Sequence, residues 1–192
     1  MTAPPGAPGA AAGAGSAGDA GPRPPAVAVV GAGRCDRATE QVAEAVGAAV
    51  ARAGAVLVCG GLGGVMAAAC RGALAAGGLT VGILPGDRAA DANPWVRVAV
   101  PTGMGELRNG LVVRASDVLV AVGGEYGTLS ELALALKVGR PVVGIGTWAL
   151  LRPGGVPDAG VQPADDPDEA VALALALARR GADGRHGSPA GS

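Results

Sequence analysis

Lysine and histidine are nearly missing from this chain. Among 192 residues there is one of each, Lys137 and His186. A Walker phosphate loop needs Gly-Lys-Ser/Thr, and Lys137 follows no glycine loop. A pyridoxal phosphate enzyme needs a Schiff-base lysine, and Lys137 near the end of a helical stretch is a poor candidate. With the only histidine in a C-terminal tail, a Ser/His/Asp triad is excluded. Cys35, Cys59 and Cys70 are odd in number and have no metal-ligand spacing. Neither a disulfide framework nor a zinc site is expected from them. Charge is scarce too: 16% of residues are charged and the formal net charge is −1. That leaves no electrostatic footprint for nucleic acid or an anionic membrane. No run is long and apolar enough to span a bilayer, and no basic stretch leads into an apolar segment at the start. The expected compartment is a reducing cytoplasm.

What is present is apolar and glycine-rich. Hydrophobic residues make up 49%, enough for a folded core, and there are 35 glycines and 15 prolines. With abundant Ala, Val and Arg, this composition fits GC-rich coding, so only patterned glycines carry information. Residues 1–25 and 181–192 are low-complexity and read as disordered tails. One domain is expected over 26–180.

Within it, short apolar runs alternate with helical stretches. Strands are expected at 26–30, 55–59, 79–84, 96–100 near an edge, 118–122 and, last, 141–145. Helices are expected at 38–53, 64–76, 106–115, 128–138 and 168–180. The runs are continuous rather than alternating, the mark of strands buried on both faces. This predicts an α/β fold: a Rossmann-like, doubly wound parallel sheet flanked by helices. Ligands in such sheets bind beyond the carboxyl ends of the strands. Three glycine-rich turns fall there. They are Gly31-Ala32-Gly33, the run Gly60, Gly61, Leu62, Gly63, Gly64, and the run Gly123, Gly124, Glu125, Tyr126, Gly127, Thr128.

A helix N-terminus offers unpaired amides and a partial positive charge, and glycine lets the backbone approach an anion. Any one of these turns is equally a plain turn with a Thr cap. Three converging on one sheet edge favour a phosphate site. Glu131 lies three residues after Thr128, so its carboxylate leans back toward the loop. The same spacing makes a capping box, and the two roles are compatible. Arg108 offers a guanidinium fork for phosphate or a base. On spacing alone an exposed pairing with Glu106 or Glu125 is the simpler reading. A dinucleotide site is disfavoured, because Asp36 occupies the last glycine position of the fingerprint and the second strand ends without an acid.

The sequences Gly60–Met66, Arg108-Asn109, Ser116-Asp117 and Gly123–Glu131 resemble the Lonely Guy family over about residues 26–149. The resemblance implies a Rossmann-like fold and phosphoribohydrolase activity on nucleoside 5′-monophosphates. Older descriptions of the family as lysine decarboxylases are disfavoured here by the lysine count. By resemblance, Arg108 and Glu131 fall on the catalytic arginine and glutamate. Gly123 replaces the motif's proline, Glu125 its second glycine and Asn109 its lysine. Glu125 adds negative charge beside the loop proposed to hold an anion. The wording of Gly82–Gly86, Asn93–Trp95, Pro101–Asn109 and Gly123–Glu131 is similar to a sister branch that includes molybdenum cofactor carrier proteins, which hold a phosphate-bearing pterin without turning it over. The DNA-processing protein A family is more distant, and no basic patch supports its DNA role.

Two functions follow. One is an N-glycosidase in which Glu131 stabilises an oxocarbenium-like ribose and Arg108 orients the ligand. The other is a non-catalytic carrier or sensor of a phosphorylated cofactor or nucleotide. The presence of both catalytic positions leans toward the enzyme. The expected ligand-binding set is Gly31, Gly33, Gly60, Gly61, Gly63, Gly64, Asn109, Gly123, Gly124, Glu125, Gly127 and Thr128. No resident cofactor, metal, nucleic acid or membrane partner is expected. Helices 106–115 and 128–138 are apolar on several faces, which points to a homodimer or homotetramer.

Overall fold

The apolar runs at 26–30, 55–59, 79–84, 118–122 and 141–145 become largely buried strands in the computed structural model, which describes residues 23–185, whereas the run at 96–100 gives a largely exposed strand shifted to 98–101. Along the chain, β1 (Ala26–Gly31), α1 (Arg37–Arg52), β2 (Val56–Cys59), α2 (Val65–Ala75), β3 (Thr80–Leu84) and β4 (Val98–Pro101) form the first half. The second half holds α3 (Asn109–Arg114), β5 (Val118–Val122), α4 (Tyr126–Lys137) and β6 (Val142–Ile145). A small hairpin of β7 (Leu151–Arg152) and β8 (Val156–Pro157) precedes β9 (Val161–Pro163) and α5 (Pro167–Arg185). Seven strands make one sheet in the order β4-β3-β2-β1-β5-β6-β9, and every pairing is parallel.

Alternate residues of a strand face opposite sides. Val27 and Val29 of β1 pack under α1, α2 and α5, whereas Ala28 and Val30 pack under α3 and α4. The result is the expected doubly wound α/β domain. Asp36, which spoils the dinucleotide fingerprint, N-caps α1 by accepting a hydrogen bond from Thr39 N–H at 2.8 Å. Among the described residues no helix is long and apolar enough to cross a membrane.

Several expectations need correction. The strand at 142–145 is not the last: β9 adds an edge strand. Val161-Gln162-Pro163 has a polar centre and a proline, a pattern tolerated only at an edge and hard to read as a strand. The stretch 106–115 is not one helix but a 3-10 turn at Gly105–Arg108 running into α3. α4 starts at Tyr126, two residues early, and α5 runs past the expected tail boundary to Arg185. Arg23, inside the stretch read as a tail, pairs with Asp117. Residues 1–22 and 186–192, and His186 with them, lie outside the described residues.

Candidate functional site

The order of winding reverses between β1 and β5, where crossovers leave in opposite directions. In sheets of this kind that switch leaves a crevice beyond the strand ends. A cavity of about 840 Å³ lies there. Gly31 and Gly33 reach it from β1, Gly60 from β2, and Glu125, Gly127 and Thr128 from β5. Arg108 and Asn109 enter from the 3-10 turn and α3, and Glu131 from α4. The three loops thus converge as expected. Gly61, Gly63, Gly64, Gly123 and Gly124 do not line the cavity. Gly61 packs on the Leu84 side chain, and Gly63 and Gly64 pack on the Gly33 backbone. They shape the loops from behind.

Arg108 is 8% exposed, which rules out the exposed pairing with Glu106 or Glu125. Its guanidinium lies against Gly60, where an added Cβ would come within 2.7 Å of Arg108 Cζ. A larger residue would push the guanidinium out of its present position. Its Nε and Nη1 are buried and have no hydrogen-bond partner. Nη1 stands 3.6 Å from Glu131 Oε1, a Coulombic neighbour beyond hydrogen-bonding range.

Glu131 is 6% exposed. Burial raises its carboxyl to about 7, and the Arg108 charge only partly opposes this. Because α4 begins at Tyr126 with Glu125 as N-cap, Thr128 lies inside the helix and Glu131 falls in its second turn. The capping box therefore does not form. Thr128 is buried and its Oγ1 has no partner. Gly124 holds φ at +129°, and a Cβ there would meet Thr128 Cβ at 2.7 Å, so the loop folds tightly onto that hydroxyl. The first amide of α4 to find a backbone carbonyl after this turn is Leu129 N–H, bonded to Glu125 O at 3.0 Å. The helix thus presents its positive end to the cavity.

Asn109, where the family motif has lysine, brings no charge. Its Nδ2 donates to Ser130 Oγ at 3.1 Å, and Ser130 donates to Gly127 O at 2.7 Å. This ties α3 to α4 beside the cavity. Ser116 and Asp117 keep the family spacing but sit at the opposite end of the sheet. Ser116 Oγ donates to Val113 O, and Asp117 accepts from Arg23 and from Ala26 N–H.

Among the cavity residues outside the expected set, Leu107 and Tyr126 stand out as large apolar side chains that are 78% and 81% exposed. The signal for Tyr126 was available: it is the only tyrosine in a chain with two tryptophans and no phenylalanine.

Comparison with known proteins identifies the family. A relative from Archaeoglobus fulgidus, itself uncharacterised, is 45% identical over 146 residues, spanning 76% of this chain and 91% of its own. The molybdenum cofactor binding protein of Rippkaea orientalis superposes with a TM-score of 0.72 at 34% identity, covering 81% of this chain and 98% of that one. The molybdenum cofactor carrier protein of Chlamydomonas reinhardtii superposes with a TM-score of 0.69 at 36% identity, covering 80% and 98%. The family model of SLOG cluster4 matches residues 24–174, nearly all of the described domain, and the chain belongs to the SLOG cluster4 family.

Proposed function

We propose that this protein binds a phosphate-bearing, pterin-type cofactor as cargo and releases it unchanged. One observation carries the reading: Arg108 Nε, Arg108 Nη1 and Thr128 Oγ1 are buried without partners around one cavity. A buried donor left unpaired costs roughly 1–3 kcal/mol, more when charged. A phosphate at the start of α4 would supply acceptors to all three, and the positive helix end favours it. Glu131, its carboxyl raised by burial to about 7, holds its proton far above the ordinary carboxylate range and in that form donates to the ligand rather than repelling it. The 34–36% identical proteins described as binding or carrying the molybdenum cofactor support the same reading.

Hydrolysis of an N-glycosidic bond is the second reading. Glu131 favours it, because a carboxyl titrating near neutrality suits general acid–base work. Two parallel experiments on the full chain separate the readings. Titration with molybdopterin-type cofactor is expected to give saturable binding. Incubation with a panel of nucleoside 5′-monophosphates is expected to release no free base by chromatography. Base release that disappears in Glu131→Gln would replace the carrier with a phosphoribohydrolase. Failure to bind any phosphorylated ligand would sink both.

A further inference from the structure

On the reading that the cavity takes a phosphate-bearing ligand, we infer that Tyr126, backed by Trp148, is the platform on which a flat heteroaromatic ring of that ligand stacks. The site then selects phosphorylated ligands that carry such a ring over those that carry phosphate alone.

The distribution of aromatics is the first ground. This chain has three aromatic side chains in all, one tyrosine and two tryptophans. Tyr126 and Trp148 stand together, with ring centroids 5.8 Å apart and planes tilted by 35°. Trp148 packs against the core on the α3 and α4 side, and Tyr126, resting on it, is the one aromatic residue that lines the cavity.

Position is the second ground. Tyr126 is the first residue of α4, next to Gly127 and Thr128. A phosphate held by Thr128 and the start of the helix would leave the rest of its ligand within reach of the Tyr126 ring. The ring lines the cavity yet is 81% exposed, so the tilted contact with Trp148 leaves much of it uncovered. Leu107 lines the same cavity and is 78% exposed. A single exposed apolar side chain means little. Two large ones lining the same cavity, from separate elements, give it exposed apolar surface suited to a flat ring.

Rigidity is the third. Trp148 Nε1 donates to Glu125 O at 3.3 Å. Glu125 is the N-cap of α4, so the hydrogen bond fixes Trp148 to the residue from which Tyr126 departs. The backing of the platform is set before the ligand arrives, which lowers the ordering cost of binding.

The test compares two probes that share a phosphate and differ by a ring: guanosine 5′-monophosphate and ribose 5-phosphate. Calorimetry on the full chain is expected to give roughly tenfold tighter binding of the nucleotide, the scale of one base–aromatic stack. Tyr126→Leu should erase that difference and leave ribose 5-phosphate unchanged, while Tyr126→Phe keeps it. With Trp95→Phe isolating Trp148, the nucleotide should quench its fluorescence and the sugar phosphate should not. Equal affinity for both probes in the parent chain would overturn the stacking role and leave phosphate binding intact. Preservation of the difference in Tyr126→Leu would overturn it as well. No binding of either probe would defeat the phosphate reading along with it. If Tyr126→Leu instead splits a dimer seen by sedimentation, the patch belongs to an interface between copies and the inference fails.

Discussion

Two arginine–carboxylate pairs stand at opposite ends of the same parallel sheet, and they are built differently. At the amino ends, Asp117 precedes β5 and accepts two bonds from Arg23, at 2.6 and 2.9 Å, and one from Ala26 N–H at 2.9 Å. Burial works against its charge, yet these bonds hold the carboxyl below its ordinary range. At the carboxyl ends, Arg108 and Glu131 are more deeply buried and closest at 3.6 Å, with no hydrogen bond between them. There burial wins, and the Glu131 carboxyl rises to about 7. A pair whose bonding capacity is met within the protein, even with its arginine in solvent, serves as scaffold. A buried pair left unmet implies a guest that completes it.

The largest expected effect tests that division directly. Arg108→Ala should weaken binding of a phosphorylated ligand by roughly 100-fold, in line with removing a buried hydrogen-bonded charge from an interface. Arg23→Ala should leave affinity unchanged, since its side chain lies 70% exposed at the far end. Isothermal titration of both variants reads the contrast. A loss under threefold in Arg108→Ala would remove the distinction between the two pairs.

Glu131 sharpens it through pH. An unfolded glutamate titrates near 4.3, and the folded one near 7. A carboxyl raised on folding keeps its proton longer when folded, so its contribution is full below the unfolded value and falls as pH rises to about 7. Relative to Glu131→Gln, the parent chain should lose roughly 3 kcal/mol of stability between pH 4 and 8. The same ionisation places a negative charge beside the proposed phosphate site. Affinity for the phosphate probe should therefore drop about tenfold relative to Glu131→Gln as pH passes 7. The comparison with the glutamine variant cancels the ligand's own second ionisation near pH 6. Parallel pH curves for the two proteins would mean that Glu131 does not titrate where its burial puts it.

The fold was legible because strands such as Val118–Val122 are apolar without alternation, and that pattern has one main explanation. The site was legible as a set of loops, since glycine turns at strand ends can meet only at the sheet's carboxyl edge. What stayed hidden was orientation. Spacing could not say that Arg108 turns inward, because its burial depends on Gly60, 48 residues earlier, leaving room for the guanidinium. The capping box failed because α4 starts at Glu125-Tyr126, where the sequence offers no Ser, Thr, Asp or Asn to mark a cap. Ser116-Asp117 carries part of the family resemblance yet lies at the other end of the sheet, because residues close to a motif in sequence can stand a full strand away from it. Tyr126 stands in a glycine-rich turn whose pattern speaks for backbone chemistry, and nothing in the spacing tells that its ring faces a cavity.

The smallest effect lies at the satisfied pair, and its kind matters more than its size. Asp117→Asn keeps the shape of the carboxyl group but removes its charge and one acceptor. Charge-assisted hydrogen bonds are worth roughly 1.5–3 kcal/mol, and Arg23 is exposed enough for solvent to screen part of that. The expected loss of stability is about 1–2 kcal/mol in denaturant unfolding at pH 7, with ligand affinity unchanged. Because the folded carboxyl is held below its ordinary range, its contribution is present above about pH 4 and disappears as pH falls further. The stability gap between parent and variant should then close at low pH, whereas the gap at Glu131 opens as pH rises. An Asp117→Asn chain that keeps its stability but binds ligand tenfold more weakly would reverse the roles of the two ends of the sheet.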